Sequence, residues 1–272
     1  MSLQPENLGP PRGRHRREET ASAGGSADLP RTGASPARTP PSQIQGQKVQ
    51  RPEHSRRLPR RRRSDAGAPR CSGRDLELLR IAGEQYALSL PQLARLMGRI
   101  LHAARWLRSR WERAGWAKGR AVLVGQPVFV WLTSRGQRVA GSEYSLWRPN
   151  PGALAHIAAV TDVRLWVTER HPQAAWVCER ELSREAHVAG TAGQHRPDGL
   201  VVLDGRELPV EVELSHKRPA RRERIMRELI ARYGQAVYFA PDGPRQGLEQ
   251  TARALGGERV QVLELPEGGS PR

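Results

Sequence analysis

Long apolar side chains are sparse over residues 1–73, where Pro, Gly, Ser and Arg dominate. Such a stretch cannot bury enough surface to offset the entropy of ordering, so it reads as a disordered tail. From residue 74 the apolar positions adopt the 3.6-residue period of amphipathic helices. Leu76, Leu78, Leu79 and Ile81 mark a first helix after Asp75. Leu90, Leu93, Leu96 and Met97 mark a second, with Ser89 as its cap and Pro91 in its first turn. A third helix runs from about Arg99 to Ala114 and ends at Gly115. Its apolar stripe is Ile100, Ala103, Ala104, Leu107 and Trp111, with His102, Arg105, Trp106, Ser109 and Arg113 on the opposite side. Two β-rich runs, 116–124 and 127–132, then flank a Gly125-Gln126 turn, and a short helix opened by Thr133 or Ser134 runs to Ala140.

Trp147-Arg-Pro-Asn-Pro151 breaks the period and reads as a linker. Beyond it the pattern predicts a helix over 152–170, a strand over 175–178 and a brief helical or irregular piece over 179–185. After a hairpin come a helix over 221–233, a strand over 236–240, a helix over 243–255 and a strand over 260–265. This order implies an α/β core with a mixed sheet.

The hairpin is the most informative stretch. Asp204-Gly205 between two apolar runs is the strongest short-range hairpin signal available. With those two as the loop, Leu203 pairs with Arg206 and Asp198 falls opposite Glu211, with Glu213 on the same face. Like charges directly opposite one another are destabilising. The patch therefore needs a solvated face, a neighbouring cation or a bound metal. In the plainest arrangement Val210, Val212 and Leu214 face inward and Glu211 and Glu213 face solvent, offset by Arg218, Arg221 and Arg222. Lys217 shares the strand parity of the two glutamates; His195 and His216 flank the patch, and Glu169 and Glu179 are further acidic candidates.

Charge separates the chain into unlike parts. The net charge is +17, with 15 Lys+Arg against 6 Asp+Glu in residues 1–73, 12 against 4 in 74–140, and 18 against 18 in 141–272. A basic front and a neutral back point to a polyanion held by the front, nucleic acid being the commonest. The Arg56–Arg63 run would contact phosphates without reading bases. The two cysteines, Cys71 and Cys178, form neither a disulfide framework nor a zinc motif. No secretory apolar segment and no run of about 18 apolar residues occurs, so a cytoplasmic protein without a membrane partner is expected.

Three helices, a hairpin and a closing helix resemble the winged-helix form of the helix-turn-helix fold, in which the third helix enters the major groove and the wing touches backbone or minor groove. The resemblance implies groove contacts at His102, Arg105, Ser109 and Arg113, and phosphate contacts at Lys118 and Arg120. Pro197-Asp198 with Glu211-Val-Glu213 resembles the PD-(D/E)xK restriction-endonuclease-like core, in which an Asp on one strand and a (D/E)xK on the next hold a divalent metal. That likeness implies Mg²⁺ held by Asp198, Glu211 and Glu213 and makes these, with Lys217, the candidate catalytic residues; Glu213 stands where the motif has lysine. Leu93-Ala-Arg-Leu-Met-Gly98, Val128-Phe-Val-Trp-Leu-Thr133 and His195-Arg-Pro-Asp-Gly199 resemble the replication-relaxation family of actinobacterial plasmids and mobile elements. The expected architecture is α+β: a disordered basic tail over 1–73, a winged helix over 74–146 and a nuclease-like mixed-sheet domain over 147–272. The expected partners are double-stranded DNA, replication or conjugation proteins and a second copy of the chain. The other class of function these features allow is a winged-helix transcriptional regulator with an inert C-terminal dimerisation domain.

Overall fold

The computed structural model describes residues 70–191, 193–266 and 268. The Arg56–Arg63 run lies outside the described residues, which all belong to one compact unit. Among them the fold is mixed α+β, with eight α-helices and two sheets.

The first part holds α1 (Gly73–Glu84), β1 (Leu88–Ser89), α2 (Leu90–Met97), α3 (Leu101–Arg113), β2 (Ala117–Ala121), β3 (Val128–Leu132) and α4 (Ser134–Ala140). Helix α1 begins ahead of Asp75 because Ser72 and Asp75 form a reciprocal capping box, and Ser89 with Gln92 does the same for α2. Asp75 is buried, accepts a hydrogen bond of 2.9 Å from Trp111 Nε1 and pairs with Arg110, which ties α1 to α3. Burial alone would raise its pKa, but the bonds from Ser72 and Trp111 and the Arg110 charge hold it below the ordinary value. The expected stripe of α3 is buried at Ala104, Leu107 and Trp111, whereas Ile100 stands outside it as the N-cap, 65% exposed. Strand β1, too short to show a period, pairs antiparallel with β3, giving the order β1-β3-β2. Pairing of β2 with β3 ends at Ala121 and Val128, so residues 122–127 form a loop longer than the expected two-residue turn.

The second part opens with a 3₁₀ turn (Pro151–Ala153) and continues as α5 (Leu154–Arg170), β4 (Ala175–Cys178), α6 (Glu179–Val188), β5 (Gly199–Leu203), β6 (Arg206–Val212), α7 (Pro219–Tyr233), β7 (Ala236–Ala240), α8 (Asp242–Ala254) and β8 (Val260–Glu264). The sheet order is β4-β5-β6-β7-β8, antiparallel through β6 and parallel from β6 to β8. Parallel neighbours require crossovers, which α7 and α8 supply. Helix α5 packs Val160, Val163 and Val167 against Val210, Val212 and Phe239 on one face. Ile225 and Met226 of α7 and Leu248 of α8 cover Tyr238 and Ala236 on the other.

The expected linker is packed down: Trp147 lies 6.2 Å, edge to face, from Trp131 and 6.3 Å from Tyr86. Polar bonds also cross between the two parts. Gln92 Nε2 donates to Ala158 O at 2.8 Å and Asp162 Oδ1 at 3.0 Å, and Arg164 pairs with Glu84 at 2.6 Å. The buried Arg180 guanidinium lies 4.6 Å from the Tyr86 ring and 4.8 Å from that of Tyr144.

Candidate functional site

The β5–β6 hairpin turns at Asp204 and Gly205, with φ of 51° and 72°, the left-handed pair that a two-residue type I′ loop requires. The observed register pairs Leu203 with Arg206 and Gly199 with Val210. One step further, Asp198 lies across from Glu211, as the sequence implies. Tyr238 is the register partner of Glu211 on the other side, in β7.

Of the three arrangements the sequence allows, the solvated face is not the one observed. Glu211 and Glu213 are 3% and 5% exposed. They lie on the sheet face that α7 and α8 cover, and each is met by a basic side chain from a loop. His195 Nε2 is 2.8 Å from Glu211 Oε1, and Lys217 Nζ is 2.6 Å from Glu213 Oε2. The Lys217 pair has the distance of an ion pair without the alignment of a hydrogen bond; Ser215 N and Oγ both donate to Glu213 Oε1 at 3.3 Å. Asp198 accepts from the Val212 amide at 2.7 Å, which closes the end of the β5–β6 ladder, and its other oxygen is 2.9 Å from His156 Nε2 on α5.

Burial and the negative Asp198 raise the Glu211 pKa to about 7, against the lowering influence of His195 and Lys217. His156 is raised by its bond to Asp198, which outweighs its own burial. At His195 burial lowers the pKa, but the bond and charge of Glu211 win and the net direction is upward. The Tyr238 hydroxyl is buried without a hydrogen-bond partner, and its pKa is raised by burial and by Glu211, Glu213 and Asp198. An unmatched buried hydroxyl beside three carboxylates is costly unless something else satisfies it.

Four of the sequence candidates, Asp198, Glu211, Glu213 and Lys217, therefore gather at one place, joined by His195. Among the described residues, no three His, Cys, Asp or Glu side chains are placed to hold one metal ion together. Glu179 adjoins the site: it accepts from Tyr86 Oη at 3.1 Å, and with His156 and Asp198 it lines a small cavity. Glu169 is elsewhere, bonded through both oxygens to Arg95 at 2.7 and 2.6 Å. His216 lies near Gly243, where an added Cβ would be 3.5 Å from Nε2. The sequence offered no sign of His156 or Tyr238. His156 lies in a helix far along the chain, and Tyr238 reads as one more apolar position of a buried strand.

The basic candidates take a different form. His102, Arg105, Arg113, Lys118 and Arg120 are exposed and Ser109 is half-buried. Of the α3 arginines, Arg108 pairs with Glu112 at 3.3 Å and Arg110 with Asp75. Arg105 and Arg113 have no carboxylate partner among the described residues. Trp106 is 59% exposed, with the Arg110 guanidinium 5.6 Å from its ring. Among the described residues, no helix is long and apolar enough to cross a membrane. Comparison of the chain with protein-family models, curated proteins and solved structures finds no match.

Proposed function

We propose that the protein binds duplex DNA through a winged helix formed by α1 to α4 and cuts or nicks it at the carboxylate site of a nuclease-like α/β domain, in plasmid or mobile-element replication. The observation that carries this reading is Glu211, a carboxylate buried across from Asp198 with its proton affinity raised to about 7. A group so destabilised as an anion is poised to gain a cation or to move a proton near neutral pH. The topology supports the same reading: Asp198 immediately precedes the second of three antiparallel strands, and Glu211-Val212 end the third, with Glu213 one residue beyond it, before the parallel crossover.

The donor set suits Mg²⁺, which prefers hard oxygen ligands and keeps several waters, so that two carboxylates suffice. Asp198 and Glu211 would hold it, beside the Tyr238 hydroxyl, which has no hydrogen-bond partner of its own. When bound, the ion supplies Lewis acidity and a water of lowered pKa. Lys217, whose charge reaches both His195 and Glu211, occupies the electrostatic place of the lysine that Glu213 displaces, and serves to neutralise a phosphate. His195, oriented by Glu211, can take up a proton. Arg105 and Arg113, with His102 and Ser109, would face the major groove, and Lys118 and Arg120 the backbone.

The test is incubation with supercoiled plasmid and Mg²⁺ or Mn²⁺. Nicked circles are expected from the wild type. Asp198→Ala or Glu211→Ala should slow their formation more than about 100-fold, since loss of even outer-shell partners of a metal costs about 10–100-fold. No product from the wild type, or equal product from the variants, overturns the cleavage reading. The second reading, a regulator with an inert C-terminal domain, has its own support: Asp198, Glu211 and Glu213 each already face a cationic or protonatable partner. It requires a discrete operator footprint and no nicking.

A further inference from the structure

Between the β2–β3 hairpin and the segment leading into α5 lies a cleft of about 680 Å³. It is lined by Lys118 and Arg120 from β2, Arg148 and Trp147 from the connecting segment, and the largely buried Trp131 of β3. We propose that this cleft binds a nucleotide whose base is out of the duplex stack, presented by a single-stranded stretch of nucleic acid. The proposal rests on the nucleic-acid reading above for the source of the ligand, while its site lies apart from the carboxylate cluster and from Arg105 and His102 on α3.

Three observations carry it. Lys118, Arg120 and Arg148 are exposed, and among the described residues none has an ion-pair partner. The one carboxylate on the wall, Glu112, is occupied: it accepts from the Gly119 amide at 2.9 Å and pairs with Arg108 at 3.3 Å. The cleft is thus cationic without a matching anion. Its aromatic side is the half-buried Trp147, held edge to face at 79° by Trp131, which is itself buried with the Arg120 guanidinium 6.0 Å over its ring. Leu146, 47% exposed, provides an apolar lip. Cations that follow a backbone, beside aromatic and apolar surface for a base, are the elements of single-strand recognition. Flat duplex contact by a hairpin would use Lys118 and Arg120 but leave Arg148 and Trp147 idle.

The experiment is a titration of the full chain with oligothymidylate, followed by tryptophan fluorescence in a Trp106→Phe background. Residues 1–73 contain no Trp, so the basic tail adds no signal of its own. Saturable quenching is expected, with Arg148→Glu weakening binding on the order of tenfold or more. Replacing both Arg120 and Arg148 by Ala should flatten the slope of log affinity against log salt by about 1.4. Trp147→Ala should lose quenching; because Trp147 also packs on Tyr86, Arg148→Glu is the variant that decides. AMP, inorganic phosphate and a duplex are the comparison ligands. AMP binding as tightly as the oligonucleotide keeps the nucleotide site but overturns its nucleic-acid source. Phosphate competing equally well, or unchanged affinity in Arg148→Glu, overturns the proposal. Joint Arg105→Ala and Arg113→Ala replacement should lower duplex affinity while leaving oligothymidylate quenching intact, so the two readings fail separately.

Discussion

The α1–α4 part and the α5–β8 part handle charge in opposite ways. In the first, cations stand open to solvent along α3 and β2, and the one deeply buried carboxylate, Asp75, is bound by Ser72, Trp111 and Arg110. In the second, three acidic groups are drawn under helices or against loops and matched to His156, His195 and Lys217. An exposed charge costs little and remains available to a partner, whereas a buried charge must be matched at once or it unfolds the chain. The comparison teaches where to look for each effect: binding should follow the open cations, and stability and chemistry the buried anions.

The strongest blow to this division would come from Asp75. Asp75→Ala leaves Arg110 and the Trp111 N–H without their partner and removes the N3 half of the capping box, and should lower unfolding stability by about 3 kcal/mol in denaturant titration. A change within about 0.5 kcal/mol would mean that the buried anion does not hold the first part together.

The second test is pH. Between about 4.5 and about 7 the folded state keeps a proton on Glu211 that the unfolded chain has released. Stability must therefore fall as pH rises through that window. His156, raised by Asp198, acts in the same direction: its stabilisation is complete below the ordinary 6.5 and is lost as pH climbs through its raised value, while His195 titrates together with Glu211 as one pair. Thermal unfolding without divalent ions should show a lower midpoint at pH 8 than at pH 5, and Glu211→Gln should remove most of the slope below about pH 7. A midpoint that rises over this range contradicts the assignment of Glu211 as a destabilised anion.

Open cations should behave in the reverse manner. Joint replacement of Arg105 and Arg113 by Ala is expected to leave the unfolding midpoint in place. Duplex affinity should fall and the slope of log affinity against log salt should lessen by about 1.8, as measured by filter binding or anisotropy. The smallest effect belongs to exposed pairs that serve neither purpose. Glu223, 2.7 Å from Arg227 on α7, should change stability by less than about 0.5 kcal/mol when replaced by Ala.

Much of the framework is legible in the sequence. Ser89 with Pro91 announced α2, and the Asp204-Gly205 turn placed Asp198 opposite Glu211. Strand β7, Ala236–Ala240, has the bounds its apolar run implies. These features depend on contacts within a few residues, where backbone sterics and capping leave few choices. Strand β1, with two residues, carries no period, and Ile100 follows the helical stripe although it lies at the cap.

The carboxylate site divides along the same line. By itself the sequence determined that three acidic groups and a lysine share one stretch of hairpin and loop, because strand alternation is a local rule. Only the tertiary structure decided that Glu211 and Glu213 are buried, that His156 comes from α5 to meet Asp198, and that the Tyr238 hydroxyl faces the carboxylates without a partner. Alternation tells which residues share a face. Which face is covered depends on where α5, α7 and α8 pack, and that is settled by apolar contacts between residues far apart in the chain.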